Sequence, residues 1–207
     1  MERSDRRQAP DEELVEAARQ GDLRALEGLL DRHESTVLRV LGFLGVRAQD
    51  REDVAQEIFI RVFRHLGTFR RGRPFGGWLY RVTVNAAHDH RRVRERAGRE
   101  EEPWGAEADR VAAEGPAPPD PVERREVRRA LVRAMDRLSE RERAVFVLRE
   151  IEGLETAEVA RVLGITSITV RRHLSRARSS LRAQLGGGVD GAPLGVERIA
   201  PGGSRRS

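Results

Sequence analysis

Aromatic and cationic side chains alternate in one short stretch of the sequence, between residues 59 and 81. Six of the nine aromatic residues lie between Phe59 and Tyr80. Six arginines are interleaved with them or follow directly, namely Arg61, Arg64, Arg70, Arg71, Arg73 and Arg81. Cations attract phosphates, and aromatic rings offer faces on which unpaired bases can stack. The combination is typical of a surface that binds single-stranded nucleic acid.

A second nucleic-acid signal lies near the other end of the chain. Residues 166–185 contain five arginines and no acidic residue: Arg171, Arg172, Arg176, Arg178 and Arg182. The apolar spacing predicts a short helix over 156–163, a turn at Gly164-Ile165, and a second helix that Thr166 or Ser167 caps. Two short helices joined by a tight glycine turn, the second of them basic, form the helix-turn-helix pattern. The second helix is expected to enter the major groove of a DNA duplex.

The composition argues against several other classes of protein. The chain has no cysteine, and all 39 of its basic residues are arginine, so neither thiolate nor lysine chemistry is available. His88 and His90 flank Asp89, but side chains two positions apart on a helix point apart, so no metal site is expected. We therefore expect no enzyme and no cofactor. The absence of an 18-residue apolar run and of a secretory signal predicts no membrane insertion and a cytoplasmic location.

The elements that must position these residues are helices. Apolar residues recur every three to four positions, which predicts an all-α protein of two small helical domains. The first covers residues 11–96 and includes a helix from about 75 to 94. Residues 97–121 hold five of the nine prolines and are predicted to be a flexible, acidic, Pro-rich linker. Residues 122–185 form the second domain, with the helix-turn-helix, and the glycine-rich residues 186–207 are predicted to be a disordered tail.

Polar residues predict where individual helices begin. Asp11, Asp22 and Asp50 each precede an apolar-periodic stretch and are expected to be N-caps. Ser139 is followed three residues later by Glu142, which predicts a capping box at the start of a helix in the second domain.

Four side chains between residues 59 and 85 have more than one interpretation. Phe59 and Phe63 are expected to be core residues. Trp78 either packs against the core or serves as a stacking platform for a base. Asn85 is a poor helix former inside a predicted helix, so a functional role is favoured, because its amide can contact a base edge.

Several motifs of the first domain together resemble region 2 of bacterial sigma factors. They are formed by Asp50, Asp53, Gln56, Glu57 and Phe59, then by Phe75, Trp78 and Leu79, and then by Asn85, Asp89, Arg91 and Arg92. The sequences EVARVLGI and TVRRHLSRAR in the second domain resemble sigma region 4. The short linker and the lack of a long preceding region resemble the extracytoplasmic-function group of the sigma-70 family.

This resemblance implies a promoter-specificity subunit whose partners are core RNA polymerase and promoter DNA, with an anti-sigma factor as a further candidate partner. It implies that core polymerase contacts Asp53, Gln56, Glu57 and Ile60. It implies that the −10 element, opened without nucleotide hydrolysis, contacts Arg70, Arg71, Phe75, Trp78, Asn85, Arg91 and Arg92, and that the loop 67–75 holds a flipped base. It implies that the −35 duplex contacts Thr166, Ser167, Thr169, Arg171, Arg172 and Arg176. The acidic linker would thread the RNA exit channel.

The chain departs from the family pattern at the start of the last helix. Ile168, Arg172 and His173 stand where that pattern has Gly, Ser and Arg. The −35 sequence preference of other members therefore does not carry over.

An alternative interpretation is a two-domain transcriptional regulator with a LuxR-like helix-turn-helix, which residues 138–170 also resemble. Such regulators often carry a receiver domain with a βαβ pattern and a required lysine. This chain has neither, and the alternative leaves the aromatic and basic stretch unexplained.

Overall fold

The computed structural model describes residues 9–69, 72–98 and 130–185. Within these ranges the chain is largely helical and contains no strand, which confirms the predicted all-α class. The N-terminal block (9–69 and 72–98) consists of α1 (Asp11–Arg19), α2 (Leu23–Phe43), α3 (Ala48–His65), a 3₁₀ turn (Leu66–Thr68) and α4 (Phe75–Arg96). The C-terminal block (130–185) consists of α5 (Glu140–Phe146), a π-helical turn (Val147–Ile151), α6 (Thr156–Leu163) and α7 (Ser167–Leu185), preceded by a helical segment over 130–135. The predicted tail and most of the predicted linker lie outside the described residues.

Two of the predicted helix caps are present. The Asp22 carboxylate accepts hydrogen bonds from the backbone N–H groups two and three residues on, at 3.0 and 3.2 Å, and so begins α2. Ser139 and Glu142 form the predicted capping box of α5, in which the Glu142 carboxylate accepts from the Ser139 backbone N–H at 3.1 Å. These bonds satisfy backbone donors that have no partner inside the helix.

Asp11 and Asp50 were predicted as caps, and this was wrong. Both lie within the first turn of a helix, after Pro10 and Arg47 respectively. Their carboxylates bridge helices instead: Asp11 contacts Arg32 at 2.6 Å and His33 at 2.7 Å, and Asp50 contacts Arg94 at 3.2 Å and His90 at 3.3 Å. Burial acts to raise the pKa of Asp11, but hydrogen bonding to His33 and the charges of His33 and Arg32 outweigh it and hold that pKa below its ordinary value.

The helix-turn-helix is formed as the sequence predicted. α6 ends at Gly164, whose φ of +65° is the left-handed conformation that favours glycine. α7 then packs back on the block through Val170, Leu174, Ala177 and Leu181, all of which are buried. Ala160 of α6 is also buried, and its small side chain suits the point at which the two helices pack closely.

The two blocks contact each other through a buried polar cluster. The Glu152 carboxylate accepts hydrogen bonds from Nε and Nη2 of Arg39 at 3.1 and 2.8 Å, and from the Tyr80 hydroxyl at 2.7 Å. Only 8% of Arg39 and 6% of Glu152 is exposed. Burial, together with the adjacent Glu152 charge and hydrogen bond, raises the pKa of Tyr80. At Gly45 an added Cβ would lie 2.5 Å from Nη1 of Arg143, so the blocks approach closely there as well.

Candidate nucleic-acid interface

One face of α3 presents a mixed polar and apolar surface to solvent. We call this surface the α3 stripe; its residues are Asp53, Gln56, Glu57 and Ile60, and all four are exposed. Its members are spaced by three or four residues, so they lie on one side of the helix. The opposite side carries the fully buried Ile58 and Val62.

Phe63 extends the α3 stripe and was wrongly predicted to be a core residue. It is 56% exposed, whereas Phe59 is half-buried and packs against the core. At 3.6 residues per turn, Phe63 is rotated about 140° from the buried Ile58 and therefore faces solvent. The exposed face of α3 thus offers two large hydrophobic side chains, Ile60 and Phe63, between acidic and polar neighbours.

A cluster of three aromatic rings supports the start of α4. The ring centroids of Phe69 and Phe75 lie 6.0 Å apart, and that of Trp78 lies 5.4 Å from Phe69 and 5.8 Å from Phe75. Phe75 is 1% exposed, so in this conformation its ring has no free face for a base, contrary to the contact expected from the sequence. Trp78 is half-buried and packs against the core. Of the two interpretations of Trp78, packing against the core is the one that agrees with its surroundings in this structure.

One face of α4 carries cations on both sides of an uncharged amide. Trp78, Arg81, Asn85 and Arg92 recur at intervals of three, four and seven residues and form what we call the α4 stripe. Arg81, Asn85 and Arg92 are exposed. The sequence placed Arg81 among the cations of the aromatic stretch but not among the residues expected to contact the −10 element, although its position four residues before Asn85 was the available signal.

Arg91 lies off the α4 stripe. Its guanidinium contacts the carboxylates of Glu95 at 2.9 Å and Glu140 at 3.6 Å, the second of which belongs to the C-terminal block. Asp89 contacts Arg61 of α3 at 3.1 Å. Arg70 and Arg71, also predicted to contact DNA, lie outside the described residues.

The solvent face of α7 is polar and basic. Arg171, Arg172 and Arg176 are exposed. The Thr166 hydroxyl accepts a hydrogen bond from the Thr169 backbone N–H at 3.2 Å, so of the two candidate caps Thr166 makes the capping bond. Ser167 and Thr169 are partly buried in the first turn. The helix N-terminus and the three exposed arginines suit contact with phosphates and base edges.

Neither a metal centre nor a membrane segment emerges from the described part of the chain. Residues 9–69, 72–98 and 130–185 contain no group of three or more His, Asp or Glu side chains that could hold a metal ion. None of the helices in those ranges is long and apolar enough to cross a membrane.

Comparison with known proteins identifies both blocks. Residues 29–97 match the family model of sigma-70 region 2, and residues 128–181 match that of sigma-70 region 4. The RNA polymerase sigma-H factor of Pseudomonas aeruginosa is 32% identical over 84% of this chain and 93% of its own length. The chain belongs to the sigma-70 family. As a sigma factor it acts with RNA polymerase in transcription initiation, and the match to region 2 accounts for α2–α4, which the LuxR-like alternative left unexplained.

Other relatives place this sigma factor in the extracytoplasmic-function group. The sigma factor SigE of Mycolicibacterium smegmatis, a member of that group, is 38% identical over 80% of this chain and 64% of its own length. The solved structure of CnrH in complex with the cytosolic domain of CnrY superposes with a TM-score of 0.64 at 27% identity, covering 86% of this chain and 98% of CnrH.

Proposed function

We propose that the three exposed surfaces of this sigma factor divide the work of promoter recognition. The α3 stripe binds core RNA polymerase, the α4 stripe binds the non-template strand of the −10 element, and α7 reads the −35 duplex. The observation that carries the proposal is the α4 stripe, where the exposed amide of Asn85 lies between the exposed cations Arg81 and Arg92. Cations supply affinity for any sequence, whereas the amide can distinguish one base edge from another.

The side chains of the α3 stripe support its assignment to core polymerase. Ile60 is 43% and Phe63 56% exposed on a helix that is otherwise well packed, so its own fold gains little from them. Exposed apolar side chains rimmed by polar ones are typical of protein interfaces. Asp53 adds an exposed carboxylate to this face, whereas Glu57 is paired with Arg61 at 3.6 Å, so a partner with a cation opposite Asp53 is favoured.

The aromatic cluster and α4 support strand capture without nucleotide hydrolysis. Extruding a base costs a few kcal/mol, and stacking it on an aromatic side chain returns about 1–3 kcal/mol. Trp78 is half-buried and lies three residues before Arg81 on the same face of α4, so a base that stacks on it would lie beside that cation. Binding energy gained on the single strand can therefore offset the unpairing, and no catalytic group is required for that step.

An anti-sigma factor is the further partner that we propose. The solved structure of CnrH, similar to this chain at 27% identity, contains the cytosolic domain of CnrY. A protein that covers the α3 stripe would compete with core polymerase for Ile60 and Phe63. We expect such a partner to hold this sigma factor inactive.

The test of strand capture uses holoenzyme assembled from the full chain and core polymerase. A promoter is first obtained by transcribing a genomic library in vitro and sequencing the transcript starts. Binding of single-stranded oligonucleotides carrying the non-template −10 sequence and its base-substituted variants is then measured by fluorescence anisotropy. Asn85→Ala should lower discrimination between sequences by the value of one hydrogen bond, roughly 1 kcal/mol or fivefold, with a smaller effect on mean affinity.

Two further variants test whether the loss of sequence discrimination is specific to Asn85. Arg92→Ala should weaken binding to every sequence and reduce the salt dependence, because it removes one phosphate contact. Gln20→Ala removes an exposed amide at the end of α1 and should change neither quantity. Unaltered sequence discrimination in Asn85→Ala would remove that residue from the proposed −10 surface.

A further inference from the structure

Ile168 is an unexplained hydrophobic side chain on the DNA-facing helix. It is 72% exposed, the highest value among the large exposed hydrophobic side chains of residues 9–69, 72–98 and 130–185. It occupies the second position of α7, directly after Ser167. Such exposure leaves an aliphatic side chain in water, so Ile168 gains almost nothing from packing within its own fold.

The position of Ile168 on α7 places it opposite the core. Helical geometry puts Ile168 about 160° around the helix from the fully buried Val170. The same geometry puts Arg172 and Ser175, four and seven residues on, along the same face. Both are exposed. Ile168 therefore begins the solvent face that the proposed function assigns to the −35 duplex.

The chemistry of the major groove restricts what an aliphatic side chain can contact there. Base edges present hydrogen-bond donors and acceptors, and the apolar group among them is the C5 methyl of thymine. We infer that Ile168 contacts a thymine methyl in the −35 element and is a specificity-determining residue of this sigma factor. The inference rests on the proposed role of α7.

The experiment compares thymine with deoxyuridine, which differs from it only by the missing methyl. Holoenzyme made with the full chain selects its preferred duplexes from a library randomised across the −35 element. Each thymine of the selected sequence is then replaced singly by deoxyuridine, and binding is measured with the parent chain and with Ile168→Ala. We expect one replacement to weaken binding of the parent about fourfold, the value of one buried methyl group, and to leave Ile168→Ala unaffected.

A control and two outcomes distinguish a failure of this inference from a failure of the proposed function on which it rests. Leu23→Ala, which shortens a 66% exposed side chain on α2, should keep the parent's response to deoxyuridine. If Arg172→Ala fails to weaken any duplex, the assignment of α7 to the −35 element is wrong. If Arg172→Ala weakens binding but each deoxyuridine costs the parent and Ile168→Ala equally, or if no thymine is selected, only the inference about Ile168 is overturned.

Discussion

Glu152 joins the C-terminal block to the N-terminal block, and its replacement by alanine tests how strongly they are held together. The change removes the acceptor of three hydrogen bonds, two from Arg39 and one from Tyr80. The Arg39 guanidinium, 9% exposed, would remain buried and charged beside the cavity. Removing one partner of a buried ion pair typically costs roughly 3–5 kcal/mol, because the other charge is left uncompensated.

Most of that cost disappears if the blocks separate, since Arg39 then regains its hydration. Glu152→Ala should therefore shift the equilibrium between contacting and separated blocks rather than unfold either one. At about 1.4 kcal/mol per factor of ten, the lower limit of the cost corresponds to a shift of roughly 100-fold.

Under the proposed function, α4 and α7 occupy promoter elements that lie far apart along the DNA, so we expect the blocks to separate. Positions −35 and −10 are about 25 base pairs apart, and at about 3.4 Å per base pair this is roughly 85 Å of duplex. We expect that blocks bound to both elements lose the 2.8 Å contact between Arg39 and Glu152. We therefore predict that the contact breaks before both elements are occupied, and that its strength adds to the free-energy cost of forming the promoter complex.

The lack of cysteine makes the blocks easy to label for energy-transfer measurements. Glu27 of α2 and Ser179 of α7 are exposed and can be replaced by cysteine for a donor and an acceptor dye. We expect the parent to populate mainly one high-transfer state in single-molecule measurements, and Glu152→Ala to gain a low-transfer population. Glu150→Ala is the matched control, because that carboxylate pairs at 2.7 Å with Arg178 of its own block. Identical transfer distributions for the parent and Glu152→Ala would refute the reasoning.

Two further predictions concern charges on the N-terminal block. Asp53→Arg combined with Gln56→Arg should abolish co-elution with core polymerase, because mismatched interface charges cost several kcal/mol. Circular dichroism should show unchanged helicity. Glu12→Arg, elsewhere on the exposed surface, is the control and should co-elute normally. Since hydrogen bonds and charges of His33 and Arg32 hold the folded pKa of Asp11 below its ordinary value of 3.8, ionised Asp11 should stabilise the fold above that ordinary value, and the stabilisation should be lost as the pH falls through the folded pKa. In Asp11→Asn the urea concentration at the unfolding midpoint should change less with pH over that acidic range than it does in the parent. An equal change of the midpoint with pH in the two proteins would contradict the assignment.

Local patterns were enough to predict the helix-turn-helix and the exposed arginines of its second helix. The capping box of Ser139 and Glu142 lies within four consecutive residues, and the turn at Gly164 needs only one residue with a positive φ. The buried positions of α7 recur at helical spacing, so its exposed arginines follow from the same pattern. Features of this kind are decided within one or two helical turns, and the sequence of those turns is sufficient to predict them.

Except at Phe63, the errors fall where a side chain's partner is remote in the sequence. Asp11 and Asp50 have the composition of N-caps, but arginines and histidines on other helices contact their carboxylates. Arg39 and Glu152 are separated by 113 positions, and no local pattern indicates that either is buried. Phe63 was assigned to the core by residue type alone, although its rotation from Ile58 along α3 placed it on the exposed face.

A buried ion pair suits a contact that must break. When the blocks separate, Arg39 and Glu152 are both rehydrated, so the desolvation cost that weakened the pair in the closed form is recovered. An apolar contact of equal area would behave differently, because its separated halves would stay exposed to water and favour closing again or associating with other chains. The same pair also fixes how the blocks fit together, since the Arg39 fork and the Tyr80 hydroxyl must reach a single carboxylate from defined directions. The pair of Arg39 and Glu152 is therefore specific while closed and leaves charged, well-hydrated side chains when open.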